Sequence, residues 1–202
     1  MTFDRAYWED RYGAPGFTWS GRPNAVLVTE ISGLAPGRAI DIGSGEGGDA
    51  IWLALQGWTV TGVDISQNAL DKASARASWA GVEIEWEQHD LSEWMPRPQS
   101  FDLVTSHFMH LPAALRTPLY RSLAAAVAPG GTLLIVGHDA SAMEGHDHRV
   151  ELMFSADDVL ADIAGEGLRV DVADSRSRSH TAPDGTVTPM RDVVVRAQRT
   201  HS

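Results

Sequence analysis

The stretch Ala39-Ile40-Asp41-Ile42-Gly43-Ser44-Gly45-Glu46-Gly47-Gly48-Asp49-Ala50 constrains this chain more than any other. A short apolar strand, Ala39 to Ile42, runs into a glycine-rich turn, and the turn opens a helix through Ile51, Leu53, Ala54 and Leu55. Glycines permit positive φ in such a turn and let a ligand lie directly on the backbone. Free N–H groups at the helix start then offer a place for polar or anionic parts of that ligand. Within the ~30-residue span of a βαβ unit, the next strand, Trp58 to Val63, ends in Asp64, placed to take a pair of ribose hydroxyls. This pattern predicts an adenosine-containing cofactor.

Downstream, the same alternation continues. Ser66 as N-cap and Gly81 beyond the end predict a helix over 67–80. Val82 to Trp86 reads as a third strand leading into His89-Asp90-Leu91, and Phe101 to Ser106 as a fourth, ending at His107. A helical segment from Pro112 to Ala128 is turned by Pro129-Gly130-Gly131 into a fifth strand, Thr132 to Gly137. After a helix beginning near Ser155, Gly167 to Val172 and Arg191 to Ala197 read as two last strands, with Pro183-Asp184-Gly185 as a hairpin signal between them. Alternating β/α units followed by an antiparallel pair indicate an α/β, doubly wound, mostly parallel sheet in a single domain. Upstream, Ala25 to Leu34 carries a helical stripe stopped by Pro36-Gly37. The aromatic-rich residues 1–24 have two readings, packing on the core or a lid over the cofactor.

Composition narrows the partner. With a formal net charge of −11 the chain is a poor match for a phosphate backbone, so a small-molecule acceptor is expected and nucleic acid is not. The longest apolar run, Ser122 to Val136, is broken by Pro-Gly-Gly and too short for a bilayer, and no signal peptide is visible. The absence of cysteine rules out thiolate nucleophiles and thiolate metal sites, and fits a cytoplasmic location.

The cofactor itself has two candidates. Gly43-x-Gly45-x-x-Gly48 with Asp64 satisfies a dinucleotide fingerprint, which would make the protein an NAD-type oxidoreductase. Against that, a carboxylate at Asp41 would repel a pyrophosphate, yet suits a cationic ammonium or sulfonium. Asp90 closes strand three, where a carboxylate can accept an adenine amino group. Together, Asp41-x-Gly43-x-Gly45-x-Gly47, Asp64, His89-Asp90 and the Ala128-Pro129-Gly130-Gly131 turn resemble class I S-adenosylmethionine-dependent methyltransferases over residues 39–137. The resemblance implies a seven-stranded Rossmann-like sheet with an antiparallel C-terminal hairpin. It also implies Asp41 and Gly43 near the methionine moiety, Asp64 on the ribose, and Asp90 at the adenine, with Ile65 and Leu91 flanking the ring and Ser44 and Gly45 among the cofactor-binding residues. Trp19 in the lid would complete the cofactor contacts. Trp8-x-x-Arg11-Tyr12 and the C-terminal hairpin further resemble the tellurite-resistance and thiopurine type, whose members act on small, soft or oxyanionic nucleophiles without a metal.

Methyl transfer from a sulfonium needs alignment and a dry site. A soft anion needs no base, whereas an alcohol or ring N–H gains from one, and histidine is the residue for it. His107, His110 and His138 fall at or beyond the C-terminal ends of strands four and five, where open α/β sheets bind ligands. His138 and His110 are candidates for the acceptor side, and His107 for either side. His180, with Arg176 and Arg178, could steer an anionic acceptor or form a solvated strand face. Residues 138–150 and 173–190 are the expected acceptor-side loops. Glu144-Gly145-His146-Asp147-His148 invites a metal reading, but no second spaced pair follows it, so a solvated loop is expected. A non-catalytic adenosyl-binding module is the remaining alternative.

Overall fold

The computed structural model describes residues 4–140, 152–181 and 187–200, with the backbone alone for His180 and Thr181. In chain order the elements are α1 (Arg5–Gly13), α2 (Ala25–Glu30), β1 (Arg38–Ile42), α3 (Gly48–Leu55), β2 (Thr59–Asp64), α4 (Gln67–Ala80), β3 (Glu85–Gln88), β4 (Phe101–His107), α5 (Ala113–Ala126), β5 (Val127–His138), α6 (Ala156–Asp162), β6 (Leu168–Thr181) and β7 (Val187–Arg199). One seven-stranded sheet has the order β3-β2-β1-β4-β5-β7-β6. The first five strands are parallel, and β7 inserts antiparallel between β5 and β6. Strand order reverses between β1 and β4, so a crevice opens there beyond the carboxyl ends.

Period-two alternation along the strands feeds a core on each face. Ile40, Val104, Leu133, Ile135, Val193 and Val195 pack with Leu119, Tyr120 and Leu123 of α5 and Val159 of α6. Their neighbours Ala39, Leu103, Leu134, Val136 and Val194 face the other way, onto Leu27 of α2 and Leu53 of α3. Arg116 and Asp162, both buried, tie α5 to α6 with an Nε–Oδ2 hydrogen bond of 2.6 Å.

Several boundaries differ from the sequence expectation for identifiable reasons. Strand three starts at Glu85 rather than Val82, because Val82 closes the end of α4. Its N–H donates to Ala77 O while Gly81 turns left-handed at φ 73°, the Schellman arrangement. Strand five begins at Val127, with Pro129-Gly130-Gly131 inside it as an irregularity, since Phe101 pairs with Val127 but Leu103 with Thr132. Side chains are excluded at Gly131, where a Cβ would stand 2.9–3.0 Å from the carbonyl oxygens of Ala128, Phe101 and Asp102. Residues 173–181 and 187–190, expected as a loop, are strand: β6 and β7 pair from Leu168↔Arg199 to Thr181↔Val187, with a register shift between Val170 and Val172. The outer half of β6 is mostly polar, so no apolar alternation marked it, and Arg178 pairs across the ladder with Asp192. The hairpin tip Pro183-Asp184-Gly185 and the 141–151 segment with Glu144 to His148 lie outside the described residues.

Candidate functional site

After β1 the chain folds back onto the end of β2. Gly43, Gly45 and Gly47 take φ of 74°, 51° and 78°. The N–H groups of Gly43 and Ser44 both donate to Val63 O at 2.8 and 2.9 Å, and Gly45 N–H donates to Asp64 Oδ2 at 2.8 Å. A Cβ at Gly43 would stand 3.2 Å from Met109 Sδ, and one at Gly45 3.0 Å from the Tyr12 hydroxyl. The glycines are thus required by conformation and by close neighbours from two other segments. Two polar atoms in this region, Ser44 Oγ and His107 Nε2, are buried with no hydrogen-bond partner. Such orphaned atoms are costly unless a ligand or water completes them.

Asp41, in β1, is buried and accepts a hydrogen bond from Thr105 Oγ1 at 2.9 Å. Asp49 in the first turn of α3 and His107 at the end of β4 lie beside it, and the ligating atoms of the three fall within 4.8 Å of one another. His107 Nδ1 is 2.7 Å from Asp49 Oδ2. Burial, together with the Asp49 carboxylate, pushes the Asp41 pKa up to about 7, against the opposing pull of His107 and Thr105. Burial alone would lower the His107 pKa, but Asp49 and Asp41 outweigh it and the net direction is upward. This pocket of excess negative charge suits a cation. His107 therefore belongs to the glycine-loop side and is not joined to the other histidines.

Asp64 is also buried, and burial raises its pKa in spite of hydrogen bonds from Ser66 and Gly45 N–H. Each carboxylate oxygen takes one backbone N–H, which leaves lone pairs for further donors. His89 N–H donates to Asp64 O, so Asp90 follows directly beyond the edge of β2. Asp90 accepts hydrogen bonds from the Ser92 hydroxyl and N–H, which hold its pKa down. Ile65 and Leu91, next in sequence to Asp64 and Asp90, are each partly buried.

Residues 5–24 cross this region, secured by groups that sequence reasoning passed over. Glu46, inside the glycine motif and 2% exposed, accepts the N–H groups of Thr18 and Trp19 at 2.9–3.0 Å. Glu9 caps α4, accepting from Ser66 Oγ, Gln67 N–H and Asn68 N–H. Lys72 donates to the carbonyls of Ala14 and Gly16, and Arg76 to those of Gly21 and Glu46. Trp19 is half exposed, with Nε1 donating to the Tyr12 hydroxyl. A carboxylate buried among glycines was the available signal, since an acid at Glu46 has no reason to be inside unless backbone donors meet it.

The other histidines meet across the sheet. His138 N–H donates to His110 Nε2 at 3.1 Å, and the two rings stack with centroids 4.9 Å apart. Phe108, held at φ 53°, places its ring 4.7 Å from that of His138. Asp192 on β7, buried and unforeseen from the sequence, bonds His138 Nδ1 at 3.1 Å and accepts from Arg178 Nε. Arg176 instead pairs with Glu30 and Asp174, away from the histidines. His180 lies opposite Thr188 in β6, and its side chain is outside the described residues.

Residues 39–131 match the family described as "Methyltransferase domain". A ubiquinone biosynthesis O-methyltransferase of Pseudomonas syringae pv. tomato is 35% identical over 109 residues, 52% of this chain and 45% of that protein. The chain spans about half the length of the curated relatives it matches. The structure behind "Conversion of a Disulfide Bond into a Thioacetal Group during Echinomycin Biosynthesis" superposes with TM-score 0.75 at 24% identity, covering 98% of this chain and 90% of that one. TehB from Haemophilus influenzae superposes with TM-score 0.74 at 16% identity, covering 97% of this chain and 67% of its own. These last two likenesses are of fold. Among the described residues, no helix is long and apolar enough to cross a membrane. In its glycine motif and across residues 39–131, the chain is similar to methyltransferases.

Proposed function

We propose that this protein transfers the methyl group of S-adenosylmethionine to a small-molecule nucleophile with an S, Se/Te, N or O acceptor atom, by in-line displacement. The observation that carries this reading is the buried acid pocket of Asp41 and Asp49 beside Gly43. Carboxylates there fit the ammonium and sulfonium of the methionine moiety and would repel a pyrophosphate, which counts against the dinucleotide alternative. The buried, unpartnered Ser44 Oγ and His107 Nε2 fit a ligand that brings polar groups to them. When bound, the cofactor supplies an activated methyl group, so the chain's own contribution is grip, orientation and exclusion of water.

In this reading Asp41, Gly43, Ser44, Gly45 and His107 hold the amino-acid end, and Asp64 takes the ribose hydroxyls. Asp90 faces the adenine amino group between Ile65 and Leu91. Residues 4–24, with Trp19, form the lid over the cofactor, and Glu46 locks its inner edge through the Thr18 and Trp19 N–H groups. One similar protein is an O-methyltransferase and one neighbour in fold is described with the conversion of a disulfide bond, which keeps hydroxyl and sulfur acceptors both in play. Neither nucleic acid nor a membrane is part of the proposal, and the cysteine-free sequence fits the cytoplasm. The test is S-adenosylhomocysteine formation on mixing the purified protein with S-adenosylmethionine and fractionated small metabolites. Product that appears only with particular fractions is expected. None from any fraction would contradict the proposal.

A further inference from the structure

The residues around His138 are arranged more tightly than a strand-end ion pair requires. Asp192 stands opposite His138 in the β5–β7 register and is 3% exposed. Burial would raise its pKa, but hydrogen bonds from His138 and Arg178 overcome this and hold it low, so Asp192 is a carboxylate. A buried carboxylate 3.1 Å from Nδ1 demands a proton on Nδ1, which leaves the lone pair of the neutral ring on Nε2. Among the described residues, Nε2 of His138 has no partner, and the side chain is 25% exposed at the carboxyl end of β5. Ring rotation is opposed by His110, stacked with its centroid 4.9 Å away, and by the tilted Phe108 ring at 4.7 Å. His110 Nε2 is itself an acceptor, since it takes the His138 N–H, so that nitrogen carries no proton. Phe108 holds its positive φ through an N–H bond of 2.7 Å to Val136 O, strain that local packing must sustain. Among the described residues, the charged and titratable groups facing this imidazole are Asp192 from β7, Arg178 from β6 and His110 from the loop after β4. Asp139, next in sequence, is bonded to Ser175 Oγ.

We infer that the methyl acceptor is a hydroxyl group on a planar ring, and that His138 Nε2 removes its proton while Asp192 positions the imidazole. The inference rests on the methyl-transfer reading above. A thiolate, selenite or tellurite arrives with its lone pair ready and has no use for a base. A hydroxyl becomes a competent nucleophile only as its proton leaves. The acceptor oxygen forms the new O–CH3 bond, the carbon–sulfur bond breaks with its electron pair going to sulfur, and the hydroxyl proton moves to Nε2 and then to water. The Phe108 ring, 36% exposed and tilted 43° from His138, offers an aromatic face to a ring beside the imidazole, with the Arg178 guanidinium 5.8 Å from its centroid.

The experiment compares wild type with His138→Gln and Asp192→Asn. S-adenosylhomocysteine affinity is measured first by calorimetry, then turnover from pH 5.5 to 9 with 3,4-dihydroxybenzoate, 8-hydroxyquinoline, thiophenol, selenite and tellurite. Nitrogen-15 NMR of wild type reads the His138 tautomer independently of turnover. We expect a hydroxyl probe to be methylated, with His138→Gln lowering kcat by about 100-fold or more at unchanged S-adenosylhomocysteine affinity. The acid limb of the wild-type pH profile should vanish in that variant, and NMR should show the Nδ1–H tautomer. Turnover of thiophenol, selenite or tellurite at equal rates in wild type and His138→Gln would overturn the inference. So would an Nε2–H tautomer, or a cofactor-binding wild type that methylates no hydroxyl probe. Absence of cofactor binding would overturn the methyl-transfer reading itself, a separate result.

Discussion

The two halves of the crevice are built by different means. On the side proposed for the cofactor, residues close in sequence do the work: Asp41 to Asp49 supply the acids and glycines, and the backbone supplies most of the donors. Its carboxylates, Glu46, Asp64 and Glu9, are fixed by N–H groups of the chain itself. On the side proposed for the acceptor, His110, His138, Arg178 and Asp192 come from separate segments and are fixed by one another's side chains. A site built on backbone can tolerate varied surroundings, whereas one built from cross-strand side chains changes with each of them. This fits a common cofactor and an acceptor specific to each protein.

Substitutions can break that division, beginning with the largest effect. Glu46→Ala removes a buried carboxylate from two backbone donors and should cost about 3 kcal/mol of stability by chemical denaturation. Amide exchange at Thr18 and Trp19 should quicken while His138 resonances stay in place. If the acceptor-side resonances move equally, the halves are not separate. Next, Asp64→Ala should weaken S-adenosylhomocysteine binding by about 1–3 kcal/mol in calorimetry, the scale of a lost hydrogen bond to a charged group. Unchanged affinity would remove Asp64 from the ribose.

Asp41 sharpens the comparison through pH. With its pKa raised from 3.8 to about 7, the folded protein holds a proton that the unfolded chain has lost between those values. The resulting stability is full below about pH 4 and is lost as pH rises through about 7, since there the unfolded state binds fewer protons. A cationic ligand favours the charged carboxylate, so S-adenosylhomocysteine affinity should rise by up to about tenfold per pH unit below 7 and release a proton on binding. Calorimetry in buffers of different ionisation enthalpy reads that proton, and Asp41→Asn should abolish it. The smallest effect is expected at Arg176→Ala, which removes a half-exposed partner from Glu30 while Arg196 still pairs with it. A stability loss of about 0–1 kcal/mol without change in turnover is expected. A large turnover loss would return Arg176 to the acceptor side.

Legibility from sequence follows the same line. The helix over 67–80 and its caps at Ser66 and Gly81 were readable because capping is a local matter of hydrogen bonds. The glycine motif was readable for the same reason, and the acids at Asp41 and Asp64 announce themselves near or at the ends of the apolar strands β1 and β2, with Asp90 just beyond β3. Asp192 could not be found this way. It looks like any polar residue before Val193-Val194-Val195, and its meaning comes from a register that sets it across from His138. The outer part of β6 was missed because its mostly polar residues leave no hydrophobic period. Likewise, His107 and His110 are near neighbours in sequence, yet the turn at Phe108 sends one toward Asp49 and the other toward His138.

The most direct measurement is calorimetric titration of the purified protein with S-adenosylmethionine, S-adenosylhomocysteine and NAD. The account predicts micromolar binding of the first two, weakened by Asp64→Ala, and none for NAD. Tight NAD binding without S-adenosylmethionine binding would contradict it, because the acid pocket at Asp41 and Asp49 would then be accommodating a pyrophosphate.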